Sequence, residues 1–122
     1  MTAQEKSEQL ARAWIDGWNA GKPDDIPLNV DFRHTSPFGT IQGKDHYLEV
    51  VKPMAAKNVN VLNIKRVLGG IDEATIWFEM DTPNGIIPVC EWITLDDNSI
   101  LSVDSFYDPA TLPVKKGEVA YD

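Results

Sequence analysis

The chain has 122 residues, enough for one hydrophobic core and too few for two. Hydrophobic residues make up 43% of it and include four tryptophans and four phenylalanines, which places it among globular rather than disordered chains. A formal net charge of −8 repels phosphate backbones and anionic lipid, which argues against nucleic acid and membrane as partners.

In chain order, Thr2-Ala-Gln-Glu5 reads as a capping box, so a helix is predicted to start there. Leu10, Trp14 and Trp18 follow at four-residue spacing as one apolar stripe, with Ala13 and Gly17 beside it. Gly21 and Pro23 end the helix, and Asp24 to Leu28 can form a short helical turn that Pro27 keeps from growing longer. Val30 to Ser36 is a predicted strand with Phe32, His34 and Ser36 on one face, closed by the turn Pro37-Phe-Gly39. Lys44 to about Lys57 is a second main helix with Tyr47, Leu48, Val51 and Met54 inward, and Pro53 is expected to kink it or end it early.

Everything beyond reads as strand. Val59 to Leu68 turns at Gly69-Gly70; Ala74 to Met80 puts Ile76, Phe78 and Met80 on one face and Trp77 and Glu79 on the other. Asn84-Gly85 is a hairpin signal. Ile86 to Leu95 follows, with Pro88 marking an edge or bulge, then the turn Asp96-Asp-Asn-Ser99 and a last strand from Ile100 to Tyr107. The whole chain, 1–122, reads as one domain, with a core of about 5–112 and a charged tail over 113–122. Helices followed by a meander of antiparallel strands predict an α+β layout with helices on one sheet face. The other face is bulky too, and a partner subunit is the expected cover.

The first residues are charged, and no run approaches the roughly 20 apolar residues of a membrane span. Cys90 is the only cysteine, which excludes an internal disulfide. Together these place the chain in the cytoplasm as an expectation. There is no phosphate-binding glycine loop, dinucleotide fingerprint or spaced Cys/His set, so neither a cofactor nor a metal is expected.

Three stretches carry a family resemblance: the helix Ala11-Arg-Ala-Trp-Ile-Asp-Gly-Trp-Asn-Ala-Gly21, the strand and turn His34-Thr-Ser-Pro-Phe-Gly39 with Gly43 beyond it, and the hairpin Glu91-Trp-Ile-Thr-Leu-Asp-Asp-Asn-Ser-Ile100 running into Phe106-Tyr-Asp-Pro109. In this order and spacing, over about residues 5 to 112, the sequence resembles the nuclear transport factor two-like superfamily, which includes the SnoaL-like polyketide cyclases and ketosteroid isomerase. The resemblance implies a cone-shaped curved antiparallel sheet with helices packed on its concave face, a deep conical pocket, and homodimers through the convex face. Beside ketosteroid isomerase, its general-base aspartate falls on Ser36, its oxyanion-hole aspartate near Glu91 and its oxyanion-hole tyrosine near Trp14. Serine cannot shuttle a proton as a carboxylate does, which argues against isomerisation of a 3-oxosteroid.

The candidate catalytic residues are Glu91 and His34. Glu91 alternates with Val89 and Ile93, so it lies on an otherwise apolar face where desolvation favours its neutral acid. The bland alternative pairs it with His34 or Arg33. His34 shares a face with Ser36 and has an intrinsic pKa suited to proton transfer. Trp14, Ser36, Phe78, Val103 and Tyr107 are the expected pocket residues. Asp104 and Asp108 should point away from Ser105 and Tyr107, His46 should lie at the surface, and Trp77, Cys90 and Trp92 should share the convex face, with Cys90 a buried thiol beneath a partner. Two functions fit. One is an acid–base enzyme acting on a small apolar molecule by isomerisation, cyclisation, dehydration or epoxide opening; the other is a non-catalytic binding or dimeric assembly domain.

Overall fold

The capping box forms in both directions. Thr2 Oγ1 accepts the Glu5 backbone N–H at 3.1 Å, while the Glu5 carboxylate accepts the Thr2 N–H at 3.4 Å, and helix α1 (Ala3–Asn19) runs on from there. The computed structural model describes residues 1–58 and 60–111, so the tail over 113–122 and the first residue of the strand expected at 59–68 lie outside the described residues. Helix α1 buries Ser7, Ala11, Trp14, Ile15 and Gly17. Gly17 is required by close packing: a Cβ there would stand 2.3 Å from Ile26 Cγ1, just after the short 3-10 turn Pro23–Asp25.

Strand β1 (Leu28–Ser36) folds back into β2 (Gly39–Gln42), a strand not anticipated from the sequence. Four residues are too few to show alternation; tertiary pairing makes them a strand, with Ser36 opposite Gly39 and the Thr35 and Thr40 hydroxyls 3.0 Å apart. Helix α2 (Lys44–Ala56) packs on β1 and carries Pro53 inside it, so of the expected kink or early end the early end does not occur. Pro53 is exposed and sits three residues from the helix terminus, where a lost backbone hydrogen bond disturbs little downstream helix. His46, expected at the surface, is half-buried.

Strands β3 (Val61–Gly69), β4 (Glu73–Thr82), β5 (Gly85–Asp96) and β6 (Ser99–Phe106) form a continuous meander. The sheet order is β2-β1-β6-β5-β4-β3. The expected wholly antiparallel sheet needs one correction: β1 lies parallel to β6, because the long excursion through α2 and the meander brings the last strand beside the first in the same direction. Pro88 fits its place, since the β5–β6 register begins only at Cys90 and leaves the Pro88 half of β5 with β4 as its neighbour. Register shifts in β1, β3 and β6 mark bulges that curve the sheet around the helices.

The core fills the concave side, where Phe32, Ile41, Tyr47, Ile76, Ile93 and Ile100 are sealed between α1, α2 and the sheet. On the convex side, register lines up Trp77, Cys90 and Phe106 across three strands, with Trp92 one step along. Trp77 is 42% exposed, Trp92 48% and Phe106 61%. Cys90, expected to be buried, is exposed in the single chain because neither helix reaches this face. The fold is thus α+β, a curved sheet with its helices on one side.

Candidate active site

Strand alternation and register build the site. Alternation turns Glu91 of β5 and Ser105 of β6 inward, and register sets them directly opposite one another. His34 reaches the same place from β1, one strand further on. Trp14 descends from α1 and closes the group from above.

Four side chains form one hydrogen-bonded chain. Trp14 Nε1 donates to Glu91 Oε1 at 2.7 Å, and the Ser105 hydroxyl donates to Glu91 Oε2. His34 Nε2 lies 2.8 Å from Ser105 Oγ. The Trp14 ring also packs against Phe32, His34 and Tyr47, with centroids 5.7, 5.8 and 6.0 Å away. Tyr47 in turn accepts the Trp18 indole N–H at 3.2 Å.

This group borders a cavity of about 430 Å³ whose walls are mostly apolar, including Ile41, Val51, Leu62, Phe78, Met80 and Val89. Among the described residues, polar side chains gather at two places, with His34, Glu91 and Ser105 on the sheet and Lys57, Asn58 and Asn60 where α2 ends and β3 approaches, while Tyr47 and Tyr107 add hydroxyls. Burial of Glu91 raises its pKa from 4.5 to about 7, and the hydrogen bonds from Ser105 and Trp14 hold it from rising further. Burial lowers His34 from 6.5 to about 4, so its imidazole is neutral at physiological pH. His34 is half-buried and borders the cavity.

Of the residues expected in the pocket, Trp14, His34, Phe78, Glu91 and Tyr107 border this cavity, while Ser36 and Val103 do not. Val103 is fully buried in the core one step along β6 from Ser105, below the cavity floor. Ser36 sits at the end of β1, where its hydroxyl accepts the Phe38 N–H at 3.2 Å and stabilises the turn. Glu91 pairs directly with neither His34 nor Arg33; Arg33 is exposed on the opposite side of β1. Ser105 was the functional-type residue missed. Its inward direction was legible from alternation with Tyr107, but its pairing with Glu91 depends on the β5–β6 register. Among the described residues, no group of three or more His, Cys, Asp or Glu is placed to hold a metal ion, and no helix is long and apolar enough to cross a membrane.

The fold defined by these elements is the nuclear transport factor two-like, SnoaL-like cone. A SnoaL-like protein of unknown function from Burkholderia thailandensis superposes with TM-score 0.74 at 22% identity, covering 88% of this chain and 98% of that one. A candidate ketosteroid isomerase from Kribbella flavida superposes with TM-score 0.74 at 21% identity, over 97% of this chain and 89% of that one. A de novo designed protein with a curved β-sheet does so with TM-score 0.75 at 14% identity, over 90% of each chain. Likeness at these identities shows the fold, and one fold hosts many functions. No protein-family model matches the sequence, and no curated protein is significantly similar to it.

Proposed function

We propose that this chain is an acid–base enzyme acting on a small, largely apolar organic molecule that carries one polar oxygen group. The observation behind this reading is the Glu91 carboxyl: buried, poised near neutrality and hydrogen-bonded to Trp14 and Ser105, beside a cavity large enough for a substrate. A carboxyl that titrates near the working pH is matched to giving and taking protons. A purely structural Glu91 would be expected in an ion pair or under a filled core, and among the described residues its hydrogen-bond partners are the uncharged Trp14 and Ser105. Glu91 is the proposed general acid or base, His34 its partner, and Trp14, Phe78 and Tyr107 shape the cavity. Reactions of this type include isomerisation, cyclisation, dehydration and epoxide opening.

The exposed row Trp77, Cys90 and Phe106, with Trp92 beside it, favours a homodimer through the convex face, since covering the apolar surface still open there gains roughly 25 cal/mol per Å². The free thiol fits a reducing compartment such as the cytoplasm.

The test is proton exchange. Cyclic ketones and enones that quench the cavity tryptophans are incubated with the protein in D₂O, and α-deuteration is followed by mass spectrometry. Wild-type protein should accelerate exchange, and Glu91→Gln, which keeps volume and removes the ionisable group, should lower the rate by about a hundredfold or more. Binding without exchange, unchanged in Glu91→Gln, would instead favour a receptacle.

A further inference from the structure

Ser105 stands between Glu91 and His34, and its single proton cannot serve both. When Glu91 is a carboxylate, the Ser105 hydroxyl donates to Oε2, so Oγ is left to accept and His34 must bring its proton on Nε2. His34 Nδ1 then carries a lone pair. When Glu91 is an acid with its proton on Oε2, that O–H donates to Oγ, the Ser105 hydroxyl turns its own proton to His34 Nε2, and the imidazole carries its proton on Nδ1. His34 has no other hydrogen-bond partner among the described residues, and no fully buried polar atom lacks one, so Nδ1 keeps accessible surface on a ring that borders the cavity.

We propose that Ser105 is a two-way hydroxyl relay that ties the protonation of Glu91 to the tautomer of His34, so that the cavity offers a donor at Nδ1 in one state and an acceptor in the other. The step balances as three concerted shifts. The Oε2–H bond breaks as that proton bonds to Ser105 Oγ; the proton already on Oγ passes to His34 Nε2; the Nδ1 proton leaves to a ligand or water. One proton departs, Glu91 becomes a carboxylate, and the hydroxyl is regenerated with no heavy atom displaced. The acid state suits ligands whose polar atom accepts, such as a ketone or epoxide. The carboxylate state suits donors, such as an alcohol or enol.

Among the described residues, the other titratable groups bordering the cavity are Tyr47 from α2, Tyr107 beyond β6, and Lys57 at the end of α2. Asp104, next to Ser105 in sequence, lies in register with Trp92 of the convex face. The relay does not rest on the catalytic reading, since it would operate equally in a protein that only binds.

The chain has only two histidines, so the test needs no substrate. The ligand-free, ¹⁵N- and ¹³C-labelled full chain is titrated from pH 5 to 9 by two-bond proton–nitrogen correlation, with His46 assigned from His46→Gln. His34 should change from the Nδ1–H to the Nε2–H tautomer with the same midpoint as the Glu91 carboxyl carbon. Ser105→Thr should preserve that coupled change, Ser105→Ala should abolish it, and Glu91→Gln should hold one tautomer at every pH. A single His34 tautomer across the Glu91 titration in the wild-type protein would overturn the relay, as would a coupled change that survives in Ser105→Ala. Should Ser105→Ala fail to fold, the wild-type, threonine and Glu91→Gln titrations still decide it.

Discussion

Trp14 Nε1 and Glu91 Oε1 stand 2.7 Å apart, and this bond joins α1 to β5 across 77 residues of sequence. It anchors the roof of the cavity to its floor and supplies a neutral donor to a group that alternates between acid and carboxylate. A donor of this kind favours the charged form, so it opposes the desolvation that raises the Glu91 pKa.

Removing the donor therefore has a pH-dependent cost. Trp14→Phe keeps most of the ring and deletes the N–H; it should raise the Glu91 pKa above that of the wild type and cost about 1.5–3 kcal/mol when Glu91 is charged, less when it is an acid. Trp14→Ala empties a buried aromatic site and should cost on the order of 3–5 kcal/mol at any pH. Urea denaturation at pH 5 and pH 8 separates the two, and an unchanged midpoint for Trp14→Ala would show that the ring is not part of the core.

Glu91 and His34 act on stability in opposite directions. Between pH 4.5 and about 7 the unfolded chain has released the Glu91 proton and the native chain keeps it, so this group lowers stability as pH rises. Between about pH 4 and 6.5 the unfolded chain protonates His34 and the native chain does not, so that group lowers stability as pH falls. The two largely offset one another in the wild type. Relative to it, Glu91→Gln should gain on the order of 3 kcal/mol as pH rises through the first window, and His34→Gln a similar amount as pH falls through the second. Parallel stability–pH profiles for all three proteins would contradict both shifts.

Gly17 offers a test of packing against propensity. Glycine inside a helix is worth roughly 1 kcal/mol less than alanine, so Gly17→Ala would stabilise an isolated α1. In the fold the added Cβ meets Ile26 Cγ1 at 2.3 Å, and Ile26 is buried. The substitution should instead destabilise by about 1–3 kcal/mol, measured by thermal unfolding. A raised melting temperature would mean that Ile26 moves aside freely.

The proposed dimer can be read from Cys90. In the single chain its thiol is exposed in the row between Trp77 and Phe106. If a second copy covers that row, a thiol reagent should react slowly at micromolar protein and quickly once Trp92→Asp opposes association. Sedimentation velocity should show the species change in step. Fast labelling of a wild-type monomer would remove the dimer.

The sequence by itself determined the local structure. The capping box set the start of α1, the stripe of Leu10, Trp14 and Trp18 placed Trp14 in the core with the other two half-buried at its margin, and two-residue alternation set the inward direction of Phe78, Glu91, Ser105 and Tyr107. These follow from contacts within a few residues, where helix and strand periods leave little freedom. What depended on pairing between distant segments was decided only in the tertiary structure. β2 is a strand because β1 lies beside it, and β1 runs parallel to β6 because the intervening chain crosses over. Val103 and Ser105 share a strand and a direction, yet one is sealed in the core and the other meets the cavity, because the floor falls between them. The link from His34 through Ser105 to Glu91 likewise needs three strands in register, and register is set by how the whole sheet packs against its helices, not by any one strand.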